Sequence, residues 1–316
     1  MENLVSVIIP VFNRETLIGE TLNSILAQSH ANWECILVDD GSTDGSSRII
    51  LEYVDRDDRF RYFKRPENRS KGANSCRNFG FEKSVGKYVN WFDSDDLMHE
   101  DFLRIKVMFF EQHPGLDAVL TKRTIFVGDP ANITGKEHRT FLGANAIEDF
   151  ITLKSAWYIQ DPMWNRAFLN GKILFDEALL AGQDRDFHAR MLLHDPKMHV
   201  LDEYLALNRS HAQSITASID SRKDTRLKIS HLKSVEHLVR LLSEKNRLSP
   251  KIRVVLFLSL IKYLPYVIST KENFLTLLGI LKQLSFASPL IYKGWIKFWT
   301  AWLSFRIFGK GAKLLK

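Results

Sequence analysis

The 316-residue chain predicts an α/β fold: a doubly wound, mainly parallel sheet flanked by helices, followed by a C-terminal helical extension. Three observations carry this prediction. Residues 4–92 alternate apolar, β-branched runs with helically spaced segments in the order β-α-β-α-β-α-β, the pattern of a parallel sheet with right-handed crossovers. Two of the runs end in paired carboxylates, at Asp39-Asp40 and at Asp93-Ser94-Asp95-Asp96. The charge is also divided. Residues 245–316 hold ten lysines and three arginines against one acid, Glu272, for a net +12. Residues 1–244 hold 31 basic and 36 acidic side chains, for a net −5.

The elements follow in order. Leu4–Ile9 is a short apolar run of the kind buried in parallel sheets, and Pro10 closes it. Val11–Arg14 is a loop, and Glu15–Gln28 has helical spacing through Leu17, Ile18, Leu22, Ile25 and Leu26. Trp33–Val38 is the second strand, and Ser42 or Thr43 can cap the helix after it. Phe60–Phe63 is the third strand, Gly72–Val85 a helix of small residues, and Lys87–Phe92 the fourth strand. Glu100–Pro114 reads as a helix, Leu116–Val127 as a strand, Phe187–Leu192 as a helix and Val200–Leu207 as a last strand.

In sheets of this kind ligands bind beyond the carboxyl ends of the strands. The loops there are Pro10–Arg14, Asp39–Asp44 and Asp93–Asp96. Like charges gathered at a strand end are costly unless a cation sits among them, although an acidic turn that caps the next helix has the same composition. The Gly-x-Gly-x-x-Gly fingerprint is absent after the first strand, and so is a P-loop. A nucleotide held here would lean on a metal for its phosphates. The two cysteines, Cys35 and Cys76, lack neighbours at metal-ligand spacing and read as reduced thiols. Met1-Glu2-Asn3 runs directly into a strand without a signal-like apolar region, so the expected location is cytoplasmic. The acidic body argues against nucleic acid as the main partner.

Several stretches resemble, in order and spacing, the motifs of the family 2 glycosyltransferases. They are Val5–Glu15, Ile36–Asp44, Gly72-Ala73 with Arg77-Asn78 and Gly80, and Phe92–Asp96. The resemblance is strong over residues 4–115 and weaker to about 215. It implies a GT-A fold over residues 1–215, with a nucleotide-binding half to about 115 and an acceptor half from 116. Residues 216–316 are then a basic helical extension. It also implies inverting transfer of a sugar from a nucleotide-sugar donor, with Mg²⁺ or Mn²⁺, to a glycan or lipid-linked glycan.

Carried onto this sequence, the resemblance places Pro10, Phe12, Asn13 and Glu15 against the base and ribose. Asp40 becomes the acceptor for the uracil ring N–H, and Lys71 (with Arg69) a candidate for the diphosphate. Asp93 and Asp95 reach the ribose or a metal-bound water, and Asp96 reaches the metal most directly. Ala181-Gly182-Gln183-Asp184 resembles the acceptor-side signature, with Asp184 as general base, Asp186 as the fallback, and Gln183 where Glu is usual. His211, in an Arg-x-His run, completes the metal shell. Trp164 and Arg166 line the acceptor pocket. A sugar nucleotidyltransferase is the alternative on a similar sheet, but it needs a Gly-rich basic loop that Val11–Glu15 lacks. A degenerate scaffold is a further alternative, favoured only by Gln183.

In the tail, Val254–Ile261 and Phe274–Leu284 fall short of the roughly 20 apolar residues of a spanning helix. Tyr292–Phe308 places Trp295, Trp299, Trp302 and Arg306 at helical spacing, which suits an interfacial helix on an anionic membrane surface. The expected site of action is therefore peripheral, at the inner face of the cell membrane.

Overall fold

The computed structural model describes residues 3–210, 225–268 and 270–308. They form two compact units, one built on a sheet and one helical.

The sheet unit takes residues 3–144, 155–178 and 194–210. Its strands are β1 (Val5–Val11), β2 (Trp33–Asp39), β3 (Phe60–Lys64), β4 (Tyr88–Trp91), β5 (Leu97–Met98), β6 (Ala118–Phe126), β7 (Ile133–Lys136), β8 (Pro162–Asn165) and β9 (Met198–Arg209). The sheet order is β3-β2-β1-β4-β8-β6-β9-β5, with β7 paired to β6. Strands β3, β2, β1 and β4 are mutually parallel, as the alternation predicts. β8 enters antiparallel between β4 and β6, and β9 runs parallel to β6. The alternating architecture, mixed but largely parallel sheet and helical extension are those of a GT-A fold.

Every residue of β1, β2 and β4 is buried, so these strands read as mainly apolar runs and not as alternating ones. Helices α1 (Ile18–Leu26), α2 (Ser46–Val54), α3 (Ala73–Lys83) and α4 (Phe102–Gln112) cover the sheet. α3 lies close because Gly80 faces β1: a Cβ there would stand 2.4 Å from Ile8 Cγ2. Cys35 and Cys76 are buried free thiols, and burial pushes the Cys76 thiol up to about 12.

The helical unit takes residues 145–154, 179–193, 225–268 and 270–308. It contains α5 (Ala146–Ile151), α7 (Gln183–Leu192), α8 (Thr225–Glu244), α9 (Pro250–Leu260), α10 (Leu264–Val267), α11 (Lys271–Leu284) and α12 (Pro289–Phe308). The short helix α6 (Arg166–Leu169) stays with the sheet. Two segments from within residues 1–215 thus pack with the C-terminal helices, including the one that bears Asp184.

Among the described residues no helix is long and apolar enough to cross a membrane. α12 buries Ile291, Phe298 and Ala301, and Gly294 lets it approach Phe257 of α9. Its outer stripe is Tyr292, Ile296, Trp299, Leu303 and Ile307, all exposed. Trp295 does not belong to that stripe: it is half-buried, meets Phe257 edge-on and donates to Ser285 Oγ at 2.9 Å.

Candidate active site

The site is built where β1, β2 and β4 end. After β1 the chain turns through Asn13, whose φ of +51° is a left-handed value that asparagine tolerates. The turn is held by reciprocal bonds to the loop after β2. Asn13 N–H donates to Ser42 Oγ at 3.0 Å, and Thr43 N–H donates to Asn13 Oδ1 at 2.9 Å. Glu15 N–H donates to Asp44 Oδ2 at 3.0 Å. Asn13 therefore ties two loops together. Pro10 lies buried inside β1, opposite Val38 in the register, so it serves the sheet and not an open surface. Phe12 is 40% exposed, which separates it from the core. Lys71 Nζ stands 4.4 Å from its ring centroid, so an aromatic face and a cation meet at this edge.

The acids after β2 divide their work. Asp39 accepts from Ser42 N–H and Oγ on one oxygen and from Ser47 Oγ and Tyr62 Oη on the other. Burial raises its carboxyl, but these bonds outweigh burial and leave it below the ordinary aspartate value. Asp39 is thus a structural brace. Asp40 is buried and ion-paired with Arg65 Nε. Arg65 in turn donates to the Pro66 carbonyl at 2.9 Å, which fixes the guanidinium and the Asp40 oxygen it holds.

The acidic triplet after β4 is also divided. Asp96 was expected to reach a metal most directly. Its side chain is instead buried, with Oδ2 accepting from Gln160 Nε2 (2.6 Å) and Asn208 Nδ2 (2.7 Å). Its Oδ1 accepts from the Arg209 backbone N–H at 2.7 Å. These bonds pin the end of β9 against the β4 edge. Burial, and then the charges of Asp93 and Asp95, raise the Asp96 carboxyl well above the usual range, against the bonds from Arg209 and Gln160. Asp96→Ala would strand three donors, at about 1–3 kcal/mol for each that stays dry. A marked fall in the thermal midpoint is expected by calorimetry; an unchanged midpoint would contradict this assignment.

Asp93 and Asp95 keep access to solvent, with side chains 33% and 16% exposed. Each faces a guanidinium: Arg77 Nη2 donates to Asp93 Oδ1 at 2.9 Å, and Arg14 Nε lies 3.3 Å from Asp95 Oδ2. Among the described residues no group of three or more His, Cys, Asp or Glu could hold a metal ion by itself. One or two carboxylates suit a hard divalent cation that takes its remaining oxygens from a phosphate ligand and water. The residues that fit are Asp95 and Asp93. His211 lies outside the described residues.

α3 is tied to residues 175–177. Asn78 Nδ2 donates to the Phe175 carbonyl and Glu177, Ser75 Oγ to Glu177, and Asn74 Nδ2 to the Asp176 carbonyl. Arg69 is turned away to Glu82 and Glu177, leaving Lys71 as the cation of this loop that faces Phe12.

Two acceptor-side assignments are corrected. Trp164 is 1% exposed and stacks on Phe168 with ring centroids 5.5 Å apart, so it is core. Arg166 follows a strand whose antiparallel register sets Asn165 opposite Tyr88, the first residue of β4. Its guanidinium donates to the Gly86 carbonyl and Ser84 Oγ, at the end of the sheet opposite the candidate site. In the helical unit, Gln183 and Asp184 open α7 and are partly exposed. Asp186 is 1% exposed and paired with Arg190 at 2.7 Å, which removes it as a fallback base.

Sequence reasoning passed over Gln160, Asn208 and the pairings made by Arg14 and Arg65. Arg65 directly follows β3 and Arg14 lies three residues past the end of β1, which was the available signal. Gln160 and Asn208 give none, because only the tertiary fold brings them to Asp96.

At the carboxyl edge of the parallel sheet the fold thus gathers an aromatic face, a lysine and partly exposed carboxylates. The chain belongs to glycosyl transferase family 2, whose model matches residues 6–170. It is 30% identical over 228 residues to the uncharacterized glycosyltransferase EpsJ of Bacillus subtilis, covering 67% of this chain and 63% of EpsJ. The chain spans only part of the length of curated relatives it matches, 17% for an uncharacterized glycosyltransferase of Rickettsia felis that is 40% identical over 109 residues, 34% of this chain. Among solved structures, S. aureus TarS 1–349 in complex with UDP-GlcNAc has a TM-score of 0.67 at 18% identity, covering 97% of this chain and 92% of that one. At that identity the likeness shows the fold.

Proposed function

We propose that the protein is an inverting glycosyltransferase that moves a sugar from a UDP-sugar donor to a hydroxyl of a glycan or lipid-linked glycan, with Mg²⁺ or Mn²⁺. The observation that carries this reading is the split at the end of β4. Asp96 is consumed in holding β9, while Asp93 and Asp95 stay open beside Phe12 and Lys71's edge of the sheet. The TarS complex with UDP-GlcNAc, on the same fold, supports the uridine donor. Phe12 would cover the base, and Asp40 would accept its ring N–H on the oxygen not held by Arg65. Lys71 would meet the diphosphate. The divalent cation, held by Asp95 and Asp93, would neutralise charge on the leaving diphosphate.

Asp184 would take the proton of the acceptor hydroxyl as its oxygen bonds to the anomeric carbon. The bond from that carbon to the diphosphate breaks, and the nucleoside diphosphate leaves with the electron pair. The test is a panel of nucleotide-sugars scored for nucleoside diphosphate release with Mn²⁺ and with a chelator. Metal-dependent release from a UDP-sugar is expected; release of pyrophosphate from a sugar phosphate and a nucleoside triphosphate would instead identify a nucleotidyltransferase.

A second observation bears on where the enzyme works. The exposed stripe of α12 is flanked by exposed Lys293, Lys297 and Arg306, and residues 273–316 contain no acid. A wide apolar face edged with bases fits an anionic lipid surface. Trp299→Ser with Leu303→Ser is expected to abolish co-sedimentation with phosphatidylserine vesicles, leaving phosphatidylcholine controls unbound. Equal sedimentation of variant and parent would defeat the membrane reading.

A further inference from the structure

The turn that presents Asp184 is gripped by α8 within the helical unit. Gly182, the residue before α7, has a φ of +77°, and the space where a side chain would stand is filled by His231. A Cβ at Gly182 would lie 2.7 Å from His231 Cδ2 and 3.6 Å from Nε2. The neighbouring residue of α8, Ser230, is buried and its Oγ accepts from Leu180 N–H at 2.8 Å. His231 is itself fixed: Tyr263 Oη and His231 Nδ1 share a hydrogen bond of 2.7 Å, and the rings stack 11° from parallel. On the far side of the turn Arg185 Nη2 donates to the Ile151 carbonyl at 2.8 Å, tying α7 to the end of α5. A half-buried imidazole, a hydroxyl and a guanidinium therefore clamp the residues on both sides of Gln183-Asp184.

We propose that His231, backed by Tyr263 and Ser230, is a positioning residue that sets the orientation of the Gly182–Asp184 turn, so that the C-terminal helices are part of the catalytic apparatus and not only an attachment to it. This rests on the reading of Asp184 as the general base. None of the three side chains needs to touch substrate. Burial, with the nearby charges of Arg185 and Lys228, lowers the His231 imidazolium to about 4, so the ring is neutral near pH 7 and works by shape and one hydrogen bond. A base displaced by a fraction of an ångström loses proton-transfer efficiency without loss of donor affinity.

The test compares His231→Ala, Tyr263→Phe, Asp184→Asn and the double variant His231→Ala/Asp184→Asn in the full chain, measuring kcat and the donor KM. His231→Ala is expected to lower kcat about ten- to a hundredfold with donor KM unchanged. The double variant is expected to be no slower than Asp184→Asn, because the clamp acts only through that carboxylate. Tyr263→Phe, which removes one hydroxyl, is expected to lower kcat in the same sense and decides the matter if His231→Ala does not fold. Unchanged kcat in the folded variants, a rise in donor KM without loss of kcat, or losses that multiply in the double variant would overturn the positioning role alone. A parental rate in Asp184→Asn would overturn the base assignment, and the positioning role with it.

Discussion

Asp184→Asn is expected to leave UDP-sugar binding at the parental level and to lower the rate of sugar transfer about 10²–10⁴-fold. Asparagine keeps the size and the hydrogen-bonding reach of the side chain at the start of α7, so helix and turn should survive. What it removes is the capacity to take a proton. Asp186, the next acid of this first turn, is buried against Arg190 and cannot substitute. The measurement is a transfer assay paired with calorimetric titration of the donor. A parental rate would remove Asp184 as the base, and loss of donor binding would make it a binding residue instead.

The second large effect is expected at Asp95. Asp95→Ala is predicted to abolish metal-dependent turnover while the thermal midpoint falls less than in Asp96→Ala, because the carboxylate keeps access to solvent and its ion pair with Arg14 spans 3.3 Å. Neutralisation of a leaving diphosphate by a divalent cation contributes several kcal/mol to the transition state, and each 1.36 kcal/mol is tenfold in rate. Asp96→Ala should show the opposite balance, with stability lost through β9. The two variants would thus separate the proposed metal ligand from a structural acid only one residue away. Parental metal dependence in a folded Asp95→Ala protein would contradict the assignment.

The sequence made the first half of the sheet legible for a physical reason. Strands buried on both faces, such as Val5–Val11 and Trp33–Asp39, are mostly apolar, and their acidic or proline-marked ends stand out. The second half was harder. β5 is two residues long, and β8 begins at a proline and lies between turns, so neither carries a periodic pattern. Missing β8 is what misplaced Arg166: without its antiparallel register nothing indicates that the residue returns to the foot of β4. The Asp93–Asp96 motif does not show how its carboxylates are partnered, since Gln160 and Asn208 lie 64 and 112 residues from Asp96. The helix of Asp184 reads as part of the first domain along the chain, yet its packing against α5 and α8 gives it to the helical unit. In the tail, helical spacing found the aromatic residues of α12, and only packing showed that Trp295 turns inward and Trp299 outward.

We propose that the partly exposed carboxylates after β4, and not the buried one, hold the metal and diphosphate of a uridine donor. A crystal structure of the protein soaked with UDP and Mn²⁺ tests it most directly. The metal is expected on Asp95, alone or with Asp93, and on diphosphate oxygens, with Asp96 still accepting from Gln160, Asn208 and the Arg209 N–H. Metal on Asp96, or UDP away from the carboxyl ends of β1, β2 and β4, would contradict it.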